Sequence, residues 1–221
     1  MKRSCFALGV AVLALVWLGP LLTAWRESFA AHMLAHMGVV AIAAPLIALG
    51  IAPPVICLPA SSPRKRREER SLPLLLSLPI VASLVELIVV WGWHVPAARS
   101  WVETSTFATA FEQATFLAAG LFLWLSCLSS GSAAASAHRA AGAFGLLLTT
   151  VHMTLLGALL ALSPRPLYGL GEVTCFTLTL DAAQDQQLGA VIMLFVGAAV
   201  YLAGGVTLLA RLLALPARRA A

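Results

Sequence analysis

An all-α fold, a polytopic membrane helix bundle of about six transmembrane helices with both termini cytoplasmic, is predicted by three observations. The 221-residue chain is 61% hydrophobic and only 10% charged, with a mean hydropathy of +0.94, a composition foreign to water-soluble domains of this size. Six apolar runs each approach the ~20 residues that a bilayer requires. The basic residues fall on one side of those runs. With the N-terminus inside, 14 Lys and Arg divide so that only Arg26, Arg99 and Arg165 face outward, as the positive-inside rule demands. A single integral-membrane domain, 1–221, is expected, because no long polar insert could fold alone. The net charge of +5 therefore calls for a lipid surface and no nucleic acid. Arg64-Lys65-Arg66-Arg67 reads as a stop-transfer anchor beside anionic lipid.

The first run, 5–23, follows Lys2-Arg3 and is read as a retained span. It is longer than a signal-peptide core and contains Trp17, and Leu22-Thr23-Ala24 is only a fair cleavage site. The second, 30–52, opens with His32-Met33-Leu34-Ala35-His36-Met37 and carries Pro45 near its middle. Proline removes a backbone donor, so a kink is expected below the His-Met steps. The third, 73–94, contains Pro79 and Glu86 and ends Trp91-Gly92-Trp93-His94. Its tryptophans belong at the lipid–water interface. Glu86 then lies roughly 12 Å deeper at 1.5 Å per residue, where a carboxyl must be protonated or paired.

The fourth run, 107–128, places Glu112 and Gln113 about a turn and a half inside. The Gly131–Ala141 stretch is Ala/Ser/Gly-rich and is expected to be a flexible linker, with His138 solvated. The fifth run, 142–162, puts His152-Met153 near mid-membrane and ends in the turn Ser163–Gly169. The loop from 163 to 187 is the longest polar stretch. A helical entry to the sixth run, 188–210, would align Asp181 with Asp185, though capping alone accounts for Asp at a helix start. Gly204-Gly205 permits close helix approach and is compatible with oligomers. Cys5, Cys57 and Cys127 lie near cytoplasmic span ends and Cys175 lies alone outside, so the four cysteines read as space-fillers and not as a disulfide framework.

The chemistry-bearing residues collect toward one side. His32 and His36 are an i, i+4 pair on one helix face, and Met33 and Met37 form a second pair rotated by roughly 100°. Ionisable groups in a membrane are functional candidates by default. Imidazole with thioether suits a soft ion such as Cu(I). Zinc could use His32, His36, His152 and Asp185, and two axial histidines such as His36 and His152 could instead hold a haem. A metallohydrolase would want a carboxylate base such as Glu112, but no H-E-x-x-H is present, and no enzyme is expected. A copper transporter would need ligating groups along the whole crossing, where the cytoplasmic half offers mainly cysteines.

These residues also carry a family likeness. Ser28-Phe29-Ala30-Ala31-His32-Met33-Leu34-Ala35-His36-Met37, with Ala44-Pro45-Leu46-Ile47-Ala48-Leu49-Gly50 after it, resembles the signature of the CtaG-type cytochrome c oxidase assembly factors. Trp93-His94-Val95-Pro96, Glu112-Gln113-Ala114-Thr115-Phe116 with Gly120 and Trp124, and Asp185-Gln186-Gln187-Leu188-Gly189 with Ile192-Met193 resemble its later landmarks, in order, from about residue 28 to 212. The resemblance implies a multi-pass protein of a bacterial inner membrane that works in a respiratory chain with cytochrome c oxidase subunits and supplies copper on the outer side. On that view His32, His36 and His152 are the first copper ligands and Met33, Met37, Met153 and Asp185 auxiliary ones. His94 and Glu112 would stand behind them as orienting groups. Members of the family often have a histidine where Gln113 stands, a second glycine where Ala190 stands, and one more span. A haem-binding respiratory protein and a copper transporter remain the alternatives.

Overall fold

The computed structural model describes residues 2–52, 72–128, 135–169, 171–175 and 177–217. The basic cluster at 64–67 and Cys57 lie outside the described residues. Seven helices account for almost all of the described chain: α1 (Lys2–Leu18), α2 (Phe29–Ile51), α3 (Leu72–Trp93), α4 (Pro96–Thr104), α5 (Thr106–Leu128), α6 (Ala135–Ala161) and α7 (Ala182–Ala217). Five are long and apolar enough to cross a membrane, and α3 with α4, bent by 70° at the break, makes a sixth. All six expected spans are therefore present as helices. The loop expected from 163 to 187 contains an antiparallel hairpin, β1 (Glu172–Cys175) and β2 (Leu178–Asp181), built on the strand formers Val173-Thr174 and the alternating Leu178-Thr179-Leu180.

The helices alternate in direction, and their register is set by small residues. α1 runs against α2, with Gly9 facing Ile47 and Gly50 facing Phe6 so closely that a Cβ at either would meet a neighbour under 3.0 Å away. α2 and α5 run parallel and in step: His32 meets Glu112, His36 meets Phe116, and Gly120 admits Val40. α3 and α6 are also parallel, with Gly145 against the Pro79 carbonyl and Ser83 bonded to Thr149 at 2.9 Å. α6 and α7 are antiparallel, pairing Gly157 with Leu194, Met153 with Gly197 and Leu146 with Gly204. In a bilayer, lipid tails are as apolar as the side chains, so close backbone approach replaces hydrophobic expulsion as the source of helix attraction.

α2 is the central element. Of its spanning window 67% is buried, against 11% for α1. Ser28 caps it, its hydroxyl accepting from the Ala31 N–H at 3.2 Å. Residues Gly38–Ala43 wind as a π-helix immediately ahead of Pro45. The expected discontinuity thus takes the form of a widened turn, which absorbs the missing donor within a continuous helix.

One expectation is corrected. The stretch Gly131–Ala141 is not wholly a linker, because α6 begins at Ala135. His138 is buried, with Nε2 2.9 Å from the Ser126 carbonyl, one of the orphan acceptors in the last turn of α5. Alanines favour helix, and a histidine here satisfies a helix end instead of meeting solvent.

Candidate functional site

At one end of the bundle α2, α3, α5 and the segment before the hairpin bring three histidines together. His32 and His36 project from α2, and His94 sits at the α3–α4 bend. The His94 ring lies 5.5 Å from that of His36 and 6.5 Å from that of His32. All three are buried.

Each imidazole has a different set of partners. His94 Nδ1 lies 2.6 Å from the Val90 carbonyl, so this nitrogen carries the proton. Its Nε2 then holds a lone pair, and that lone pair faces the Met33 thioether at 3.4 Å. His32 Nε2 stands 3.3 Å from Glu112 Oε1, at ion-pair distance but outside hydrogen-bond geometry. Glu112 is steadied by Gln113, whose Nε2 donates to Oε2 at 3.3 Å. His36 stacks on Phe116, centroids 4.0 Å apart, and neither of its ring nitrogens has a hydrogen-bond partner. Such an orphan is costly in an apolar interior.

The frame around these rings consists of charges already spent. Asp185, in the first turn of α7, accepts from the Ser28 hydroxyl at 2.7 Å and from the Phe29 and Ala30 N–H groups at 2.5 and 3.1 Å. It caps α2 from another helix, and the dipole of α2 favours the negative charge there. Asp181 caps its own helix: it accepts from the Gln184 N–H at 2.8 Å, while its N–H donates to Gln184 Oε1 at 3.1 Å, a reciprocal capping box. Arg99 pairs with Glu103 at 3.0 Å and donates to the Arg26 carbonyl at 2.8 Å. Tyr168 stacks on Phe29 with centroids 4.4 Å apart and donates its hydroxyl to the His94 carbonyl at 2.6 Å. Burial pushes that phenol up to about 12, so it remains a donor across the neutral range.

The structure does not bring every sequence candidate to this place. His152 makes no ring contact with the other three. It lies beside the Ser83 backbone, buried, with neither ring nitrogen hydrogen-bonded. Met37 and Met153 converge instead at Gly197, where a Cβ would sit 3.9 Å from Met37 Sδ and 3.8 Å from Met153 Cβ. Among the described residues no three His, Cys, Asp or Glu side chains are placed to hold a metal ion by themselves. The arrangement is a mixed one of imidazole and thioether.

Three residues that matter here were not singled out as site residues in the sequence: Phe29, Arg99 and Tyr168. For Arg99 the signal was present in Trp93-His94-Val95-Pro96. Proline at the first position of a helix starts α4, and that helix carries Arg99 back over the cap of α2.

Fold and site together define a polytopic helical membrane protein with a buried imidazole–thioether cluster near one end. The chain belongs to the cytochrome c oxidase caa3 assembly factor family, whose sequence model it matches over residues 1–214. No curated protein and no solved structure matches it.

Proposed function

We propose that this chain serves the assembly of a haem–copper cytochrome c oxidase by holding Cu(I), as cargo, between His94, Met33 and His36, on the extracytoplasmic side of a bacterial membrane. The observation that carries this reading is the pair His94 Nε2 and Met33 Sδ, 3.4 Å apart with no proton between them. Two lone pairs facing each other gain nothing unless a cation joins them. Bond lengths of about 2.0–2.1 Å for imidazole nitrogen and 2.3 Å for sulfur, typical of a first-row d¹⁰ ion, put the two atoms roughly 3.5–3.6 Å apart at a tetrahedral angle, so the observed pair needs only a small shift to accept the ion. His36 supplies a third, unspent imidazole beside them. Its ring already stacks on Phe116, which favours a compact ion over a macrocycle at this spot. The sidedness follows from the basic residues, which leave the histidine end on the poorly charged side.

Three neutral ligands make a site that captures a soft ion and still gives it up by ligand exchange to a partner. His32, held by Glu112, and Asp185, holding the start of α2, keep the ligands in place. Competition between the detergent-purified chain and a chromophoric Cu(I) chelator tests the reading. One Cu(I) per chain is expected, with at least ~10-fold weaker binding in Met33→Leu and in His36→Ala, about 1.4 kcal/mol each. Wild-type binding unchanged by both substitutions would remove the site, and a Soret band in the purified protein would replace copper with haem.

A further inference from the structure

Two clefts of about 360 Å³ each flank the histidine cluster. One lies at the end of the bundle between α4 and the segment before the hairpin, lined among others by Arg99, Ser100, Glu103, Tyr168 and Gly169. The other opens sideways between the ends of α1 and α5, lined among others by Trp17, Arg26, Thr109 and Gln113. Their charges differ. In the end cleft the guanidinium of Arg99 is matched by Glu103 at 3.0 Å. In the side cleft Arg26 has no carboxylate at ion-pair distance among the described residues, and its Nε reaches only the Leu22 carbonyl, at 3.5 Å. An unmatched cation repels a cationic cargo in a low-dielectric setting.

A continuous path of contacts runs inward from the end cleft. Tyr168 lines the cleft and stacks on Phe29, at an interplanar angle of 11°. Phe29 in turn stands 6.2 Å from the His94 ring and 6.3 Å from the His32 ring, centroid to centroid. The stacked pair thus separates the cleft from the imidazoles. It is tethered by the Tyr168 hydroxyl on the His94 carbonyl, and Gly169, directly behind it, has φ +68° with no atom within 4 Å of its would-be Cβ.

We propose that the end cleft is the entrance for the soft cation and that the Tyr168–Phe29 stack is the gate it must pass to reach His94 and Met33, a reading that rests on the copper-holding function above. The gate parts by swinging the Tyr168 ring away, and closure restores a water-excluding aromatic wall over ligands that would otherwise be solvated.

The test separates gate from cargo by probing the metal-free protein. Diethylpyrocarbonate modifies free imidazole nitrogens, and mass spectrometry reads each histidine separately. Tyr168→Ala is expected to speed labelling of His94 by about tenfold, because protection follows the free energy of local opening. Tyr168→Phe keeps the ring but loses the tether, so its labelling should fall between wild type and Tyr168→Ala, and His138, at the opposite end, should not change in either variant. Cu(I) uptake and release should both quicken in Tyr168→Ala with the stoichiometry intact. Unchanged His94 labelling in Tyr168→Ala, an equal rise at His138, or slowing by Ala114→Trp in the side cleft alone would each overturn the gate. Faster labelling in a protein that binds no copper would leave the gate standing and remove the copper reading.

Discussion

The bundle holds two polar clusters, and they satisfy their ionisable groups by different means. At the histidine end, Arg99 meets the charge of Glu103, the start of α2 meets the carboxylate of Asp185, and the His32 imidazole faces the Glu112 carboxyl. Mid-bundle, Glu86 meets hydroxyls. Its Oε1 accepts from Tyr201 at 2.7 Å, Thr149 lies beside it, and Thr149 is tied to Ser83. No Lys, Arg or His lies at ion-pair distance from Glu86 among the described residues. Both leave polar atoms over: His36 keeps both ring nitrogens without a hydrogen bond at the histidine end, and Glu86 Oε2 and both nitrogens of His152, beside Ser83, do so mid-bundle. They differ in the neighbours. His36 lies beside His94, whose Nε2 faces the Met33 sulfur, whereas the second cluster cross-links α3, α6 and α7 through hydroxyls. The comparison teaches that neither the number of buried ionisable groups nor an orphaned nitrogen by itself separates the two clusters. What separates them is an imidazole lone pair facing a thioether.

Three substitutions break or sharpen that contrast. The largest effect is expected for Asp185→Ala, which strips three hydrogen bonds from the buried start of α2. A loss of about 3 kcal/mol or more is expected from the unsatisfied donors, read as a drop in thermal unfolding temperature in detergent, with Cu(I) binding lost alongside. Next comes Tyr201→Phe, which leaves Glu86 without its short bond. About 1–3 kcal/mol of stability should go while Cu(I) affinity holds, since this cluster is structural. An affinity loss as large as that of Met33→Leu would join the two clusters into one functional unit. The smallest effect on stability belongs to His36→Leu. His36 makes no hydrogen bond and its ring sits against Phe116, so a similar-sized apolar side chain should change stability by less than about 1.5 kcal/mol while binding falls. Destabilisation of His36→Leu on the scale of Asp185→Ala would mean that this imidazole is structural after all.

A pH scan separates the wall from the frame. The Tyr168 phenol is pushed up to about 12 by burial, above the ordinary value near 10. A raised tyrosine value means stability that is complete below about 10 and disappears as pH rises through about 12. Tyrosinate absorbance should therefore stay flat through neutral pH and rise together with His94 accessibility only in strong alkali.

The membrane spans were legible because apolar run length and basic-residue placement are one-dimensional quantities. Helix 30–52 in the sequence is Phe29–Ile51 in the structure, and 107–128 is Thr106–Leu128. The i, i+4 spacing placed His32 and His36 on one face, and the structure shows them one turn apart at the same end of the bundle. Whether a third histidine joins them depends on which helices touch, and spacing is silent about that. His152 has the same local Met neighbour as His32 and His36, yet α6 turns it toward Ser83 while the bend after α3 delivers His94. Asp185 was read as a possible ligand because carboxylate oxygen suits zinc and because the family likeness implies an auxiliary role for it. Its three partners lie 155 to 157 positions away in the chain, so its role as a cap on α2 was invisible locally. The π-helical turn was foreshadowed only as a break near Pro45, and its exact form depends on α1 and α5 packing on both sides of it.

That widened turn has a consequence for how the central helix could change over time. Residues 38–43 hold one more residue per turn than the segments on either side. A π-turn spends one extra residue on nearly the same angular advance, so deleting a single position there would relax the turn to ordinary α while His32 and His36 keep their bearing toward His94. The same deletion in the regular α segments on either side would rotate the imidazoles by roughly 100° against the half below. Residues 38–43 are therefore where this helix tolerates a change of length without turning its histidine face away from the bundle.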